Sequence, residues 1–504
     1  MTGVGARWGL GVAAGVVAAL VLPVGAVVWR AEGLGALAPG DRGALWFTLW
    51  QAAVSATLSL LLAVPVARAL ARRAFPGRGT VVLLLGAPFI LPVIVAVLGL
   101  VAVFGRSGWL AALGVEWPLY GWGGVILAHV FFNLPLATRL LLQAWLSVPP
   151  ERLRLAASLG FGPGDVMRVI ERPLLRAVGP GIWLAVFLIC TTSFAVALTL
   201  GGGPRSTTVE LAIYQAFRFD FDLGRAASLA LLQLALGVGA ALLALRLAVP
   251  SGFGAGLGGV AERWDHRTPL LRAQDAVAVA AACLFLLAPM GAVLWRGVPA
   301  LPDLPASVWA AAGRSLAVAL LCAVLTAGAA LALALAALRT GWIEAVGTAV
   351  ITASPLVLGA GLFLLLRPWA NPVALALPVT LLVNVLLSLP FALRALMPAV
   401  RDLDRDFGRL AASLGMTGLA WLRLVGLPRL RRPLGYAAGL AGALAAGDLG
   451  VIALFASPGQ ATLPLAMYQL MGSYRMEEAM AAALLLVALS LGLFAAFERG
   501  SRAA

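Results

Sequence analysis

Five polar side chains stand inside long apolar stretches of this chain: His129, Asn133, Ser193, Asn384 and Asp448. Asp448 has Gly447 and Gly450 around it, and an ionisable group in such a run is costly enough to mark a functional candidate. These types do not add up to catalysis. Acid–base or nucleophilic work needs partners within hydrogen-bond reach, and the sequence offers no cluster of His, Asp and Glu at one depth. The chain has two His, His129 and His266, and its three Cys (Cys190, Cys283, Cys322) lack C-x-x-C spacing. Neither a metal, a cofactor nor a disulfide framework is indicated. All 36 basic residues are Arg, so the lysine of a phosphate-binding P-loop is missing. Gly201-Gly202-Gly203-Pro204 is Gly-rich, but its Pro has no N–H to offer. What the five residues can do is bind something in passage or join helices by hydrogen bonds. Asn133 follows His129 by one helical turn, and both roles stay open for this pair.

The elements that carry these residues are membrane helices. Apolar residues make up 62% of the 504 and charged residues 11%, against roughly 45–50% and about 25% in soluble domains. Twelve apolar runs are long enough to span a bilayer, at about 20 residues each. They lie near 8–29, 45–67, 81–104, 122–146, 178–200, 226–248, 274–295, 311–338, 345–366, 373–397, 435–457 and 479–497. The expected fold is an all-α polytopic membrane protein. The first run exceeds the ~7–15 residues of a signal-peptide core, so a retained helix is expected. Residues 249–273 mix Gly, Pro and charge and read as a cytoplasmic linker. The net charge of +15 collects in short loops between runs, which speaks for topology and not for nucleic acid. Arg-rich loops stay in the cytoplasm, which puts both termini there.

One string occurs twice. Arg154 to Gly160 and Arg409 to Gly415 both read R-L-A-A-S-L-G, 255 positions apart. Pro135 and Pro390, Arg139 and Arg394, and Pro173 and Pro428 keep the same offset, which also pairs Ser193 with Asp448 and His129 with Asn384. A constant offset over half a chain signals a duplicated unit. The expected repeats are residues 1–248 and 274–504. With six runs each they insert the same way up, as parallel repeats that can enclose a pathway. Each string sits in an Arg-rich loop, about 149–176 and about 401–433. Ala156 and Gly160 share a helix face, as do Ala411 and Gly415, and small residues there leave a shallow groove for a partner. Pro173 and Pro180 limit entry into the following span. The expected shape is a short helix, a turn and a second helix against the membrane.

These loops resemble the Glu-Ala-Ala loop of permease subunits in binding-protein-dependent ABC importers. Ala156 and Ala411 fall on its second Ala, Gly160 and Gly415 on its Gly, Pro173 and Pro428 on its Pro. Arg154 and Arg409 stand where that family has Glu. The resemblance implies that the loops dock two copies of a separate ATPase. The stretch from Ser193 to Ala226, with Gly201-Gly202-Gly203-Pro204 and Ala212-Ile213-Tyr214-Gln215, is similar to fused thiamine (or thiamine pyrophosphate) importer permeases. It implies an inner-membrane transport subunit, not an enzyme, served by a periplasmic binding protein. Asp448, a carboxylate near the pathway, would favour the thiamine cation. Fused ferric-iron permeases share the layout and form the alternative; a secondary transporter is a further rival. Glu210 to Tyr214 reads as an interfacial helix, and Arg218, Asp220, Asp222 and Arg225 form a balanced patch that meets a binding protein or pairs with itself.

Overall fold

The computed structural model describes residues 3–30, 38–86, 88, 91–244, 268–350, 353–416, 418–455 and 458–503. Among these residues every regular element is helical. In chain order the main helices are α1 (Gly3–Arg30), α2 (Pro39–Arg72), α3 (Val93–Phe104), α4 (Trp122–Leu146), α5 (Pro150–Ser158), α6 (Arg172–Thr191), α7 (Phe194–Leu200), α8 (Val209–Arg218) and α9 (Leu223–Ala244). They continue as α10 (Pro269–Gly297), α11 (Ala306–Ala337), α12 (Pro355–Leu366), α13 (Ala376–Ser413), α14 (Leu427–Ala446), α15 (Gly450–Phe455), α16 (Leu463–Gly472) and α17 (Met476–Ala503). The helical architecture follows from the solvent. Lipid offers no partner to backbone N–H and C=O groups, so long apolar runs close their hydrogen bonds internally.

Eleven helices among the described residues have the length and composition of membrane spans. The run at 345–366 is not one continuous helix. Pro355 starts α12 behind the Ser354 cap, whose hydroxyl accepts the Leu356 and Val357 N–H groups at 3.2 and 3.3 Å. That leaves a 12-residue apolar helix, too short to be counted with the eleven. The linker expected at 249–273 falls largely outside the described residues, and its last residues already belong to α10.

The first helix after each terminus or linker packs against the other half of the chain. α1 lies on α11 and α12, while α10 lies on α2, α3 and α17. Two glycines permit this. A Cβ on Gly99 of α3 would stand 2.7 Å from the carbonyl oxygen of Pro289 in α10. A Cβ on Gly361 of α12 would collide with the carbonyl of Pro23 in α1. Close backbone approach at small residues is the usual way to gain van der Waals contact where lipid provides no hydrophobic drive.

A buried ion pair reinforces the exchange. Asp275 of α10 and Arg72 at the end of α2 are 3% and 2% exposed. Arg72 Nε donates to Asp275 Oδ2 at 2.8 Å, and Arg73 bonds the same carboxylate. At the opposite end of α2, Arg225 of α9 holds buried Asp41 (Nη2 to Oδ1, 2.7 Å) and also Asp220 (2.8 Å). The charged patch around Arg218 is thus largely paired within the chain. α2 and α11 each spend a hydroxyl on a short helix start. Val209 N–H of α8 donates to Thr48 Oγ1 at 2.9 Å, and Leu463 N–H of α16 donates to Ser315 Oγ at 2.8 Å.

Asp275→Ala leaves two arginines at α2 without their carboxylate. Breaking a buried pair on one side costs about 3–5 kcal/mol, so the purified variant is expected to melt well below wild type in a thermal denaturation series. An unchanged midpoint contradicts the latch.

Candidate functional site

Ser193 and Asp448 both sit at helix breaks. α6 ends at Thr191 and α7 begins at Phe194; α14 ends at Ala446 and α15 begins at Gly450. A break inside an apolar layer frees carbonyl and N–H groups that need partners. At the first break two buried glutamines supply them. Gln51 Nε2 of α2 donates to Cys190 O at 3.0 Å, and Gln233 Nε2 of α9 donates to Thr191 O at 3.1 Å. At the second break, the places that match by the Thr48–Ser315 equivalence and by the starts of α9 and α17 hold Val318 and Leu486. There Asp448 Oδ1 itself accepts the Gly450 N–H at 3.2 Å. Its Oδ2 and the Asn384 Nδ2 beside it make no hydrogen bond of normal geometry among the described residues.

The neighbourhood of Asp448 is a seam between the chain's halves. A Cβ on Gly447 would meet Pro92, the residue that precedes α3, at 2.8 Å, and one on Gly450 would lie 3.5 Å from Pro355 of α12. α8 closes the same region from the first half, packing on α12 and α15. It is buried almost throughout, with Tyr214 8% exposed, so it is an internal helix and not the interfacial one expected from sequence. Packing overrode its moderate apolarity because Thr48 fixes its start inside the protein.

His129 and Asn133 lie elsewhere, inside the first half. His129 Nδ1 is 3.4 Å from Ser55 Oγ of α2, and Asn133 Nδ2 donates to Cys190 Sγ of α6 at 3.4 Å. These bonds tie α4 to α2 and α6. Of the five intramembrane candidates, Asn384 and Asp448 are brought together; His129 and Asn133 form a second cluster, and Ser193 stands half-buried at the start of α7.

The two string-bearing loops share one construction. α5 ends with Gly160 at φ +70°, and α13 ends with Gly415 at φ +63°. In each, the residue after Gly bonds back five positions, Phe161 N–H to Ala156 O at 3.0 Å and Met416 N–H to Ala411 O at 2.9 Å. This left-handed glycine closure satisfies the last carbonyls of the helix. A π-turn follows in both, Met167–Glu171 and Leu422–Gly426. Pro173 and Pro428 explain it: each lacks the N–H that the carbonyl four residues back would receive. Pro173 therefore does not end the second helix, which runs on into α6.

The faces differ from the sequence reading. Ala156 and Ala411 are 4% and 5% exposed and point into the protein, so no open small-residue groove lies there. The outward face carries Arg154, Arg409 and two leucine pairs, Leu155 with Leu159 and Leu410 with Leu414, each leucine more than half exposed. Their i, i+4 spacing and shared offset of 255 were visible in the sequence. The loops are anchored differently. Arg68 of α2 reaches fully buried Glu171 at 2.8 Å in the first. In the second, Arg401 pairs with Glu344 at 2.6 Å and Arg429 lies 3.8 Å over the Phe407 ring.

No family model matches the chain. It is 40% identical to the thiamine transport system permease protein ThiP of Brucella abortus (strain 2308) over 473 residues, 90% of this chain and 87% of that relative. The Escherichia coli (strain K12) protein of the same name is 40% identical over 473 residues, 90% and 88% of the two chains. A sulfate transport system permease protein, CysW of Synechocystis, is 27% identical over 234 residues, 42% of this chain and 83% of that relative. Fold and comparison together define an all-α, multi-pass membrane permease. The chain belongs to the thiamine transport system permease proteins.

Because Gly160 and Gly415 adopt positive φ, Gly160→Ala strains the closure by about 1–2 kcal/mol. Faster trypsin cleavage at Arg154 is the expected sign. Gly164→Ala, where an added Cβ meets nothing within 4 Å, is the control. Equal cleavage of both would contradict the role given to the turn.

Proposed function

We propose that this chain is the transmembrane subunit of an ABC importer that carries thiamine, or thiamine pyrophosphate, across the bacterial inner membrane into the cytoplasm. The observation that carries this reading is 40% identity to thiamine transport permeases along 90% of the chain. A buried carboxylate at the seam suits a cationic cargo better than an anion such as sulfate. The chain makes and breaks no covalent bond. Having no Lys, it has no Walker A lysine, and ATP hydrolysis belongs to separate subunits.

Residues 1–248 and 274–504 act as parallel repeats joined by the 249–273 linker, with both termini and both loops in the cytoplasm. Three features support the repeat. α6 and α14 are each 20 residues long behind a π-turn of 5. The breaks after α6 and α14 carry Ser193 and Asp448 at the common offset. The sulfate permease relative aligns with 42% of the chain. Loops 149–176 and 401–433 dock one ATPase copy each, through Arg154, Ala156, Gly160 and Pro173 and through Arg409, Ala411, Gly415 and Pro428. Arg154 and Arg409 with the exposed leucines form the contact; the alanines, glycines and prolines hold its shape. A periplasmic binding protein delivers the substrate to the opposite side. ATP binding draws the loops together, and the halves rock around a pathway containing Ser193, Asn384 and Asp448, backed by His129 and Asn133.

Three measurements test this. Proteoliposomes holding the permease, its ATPase and its binding protein are expected to accumulate labelled thiamine only with ATP inside; ATP-independent uptake would sink the importer reading. Gly160→Trp with Gly415→Trp is expected to abolish copurification of the ATPase while the helical circular dichroism persists, and undiminished copurification would refute docking. Asp448→Asn keeps the acceptor for the Gly450 N–H but loses the charge, so thiamine uptake is expected to fall about tenfold. Full-rate uptake removes Asp448 from the pathway.

A further inference from the structure

Glu210 is the deepest carboxylate of the seam, and neither the sequence pattern nor the family resemblance assigns it a role. It is 0% exposed at the first turn of α8. The Ser354 side chain of the other half lies against it. Neither Glu210 oxygen makes a hydrogen bond of normal geometry among the described residues. Ser354 has one hydroxyl proton, and its oxygen already accepts two α12 N–H groups. At best it serves one of the two carboxylate oxygens. A buried carboxylate this poorly partnered is expensive and is retained where something else meets it.

The fold does not ask for an acid there. α16 is built like α8, begun by a hydroxyl-capped N–H, and carries Pro464 at the position matching Glu210. Glu210 and Asp448 both flank the Ser354–Pro355 start of α12, Glu210 through Ser354 and Asp448 through Gly450. The same elements bring aromatic rings to the seam. Phe217 stands seven residues after Glu210 on α8 and meets Phe363 of α12 edge to face at 4.7 Å. Phe363 in turn lies 5.6 Å from Phe455 of α15 and keeps part of its ring exposed. A quaternary ring nitrogen has no N–H to donate. It is recognised by negative charge and by aromatic faces, and carboxylate with π-faces is the chemistry for it.

We propose that Glu210 contacts the quaternary thiazolium of the substrate as the halves part, making Glu210 a substrate-contacting residue beside Asp448, with the Phe217–Phe363 pair about 10 Å further along α8 lining the same path. This rests on the thiamine reading above. It does not need the loops' docking geometry.

The test uses the full complex in proteoliposomes, with thiamine uptake and ATP hydrolysis stimulated by loaded binding protein measured side by side. Glu210→Gln keeps size and removes charge. Uptake is expected to fall about tenfold or more while stimulated hydrolysis keeps at least about half its rate, and Glu210→Asp is expected to restore most of the uptake. Phe363→Leu, which keeps an apolar filler, is expected to raise the uptake KM severalfold with little change in hydrolysis. Wild-type uptake in Glu210→Gln overturns the proposal. So does a parallel loss of uptake and hydrolysis that Glu210→Asp fails to restore, since that marks a structural role. If wild-type vesicles take up no thiamine at all, the substrate reading falls first, and the two failures are told apart.

Discussion

Two close backbone contacts hold the halves of this protein together. Gly99 admits Pro289 and Gly361 admits Pro23, and through them α10 and α1 are seated on the opposite half. In lipid such contacts are held by packing and not by water exclusion, so each depends on the missing Cβ. The Arg72–Asp275 pair closes one of them electrostatically. With both first helices exchanged, the proposed rocking of the halves takes the form of a pivot about these contacts. On that proposal, the seam between α3, α8, α12 and the α14–α15 break is where a pivot opens space.

Polar groups are distributed along that seam unevenly. At the α6–α7 break, Gln51 and Gln233 absorb freed carbonyls, which stiffens the first half. At the α14–α15 break, Asp448 caps Gly450 with one oxygen, and its carboxylate lies next to the Asn384 amide. Glu210 adds a second carboxylate from across the seam. Polar groups short of partners in a low dielectric carry high energy, and Asp448 and Glu210 are two such groups on opposite sides of the seam.

Much of this was legible from residue types. Membrane class followed from composition, because 11% charged residues cannot cover a soluble surface of this size. The offset of 255 pairs the two loops and pairs Ser193 with Asp448 in the sequence, whereas the helix breaks at those residues lie inside apolar runs that read as continuous. Other features were not legible, each for a local reason. An apolar run at 345–366 reads like a span, since periodicity does not register that Ser354 caps a new helix at Pro355. Ala156 was assigned to an open face because spacing gives which residues share a face, not which way it turns. The Arg72–Asp275 and Arg225–Asp41 pairs join residues far apart in sequence and emerge only once α10 and α9 are packed. Glu210 hid inside an amphipathic pattern that suggests a membrane surface.

Long helices join the loops to the seam. α13 is one helix from Ala376 to Ser413, so it carries both Asn384, beside Asp448, and the start of the turn at Gly415. In the first half, α6 continues from the π-turn to the Ser193 break, with Glu171 held by Arg68. The most direct measurement of this account is the distance between spin labels at positions 154 and 409, taken by pulsed dipolar spectroscopy on the assembled complex. The distance is predicted to shorten on ATP binding and lengthen again after hydrolysis; an identical distance distribution in both states would contradict the pivot.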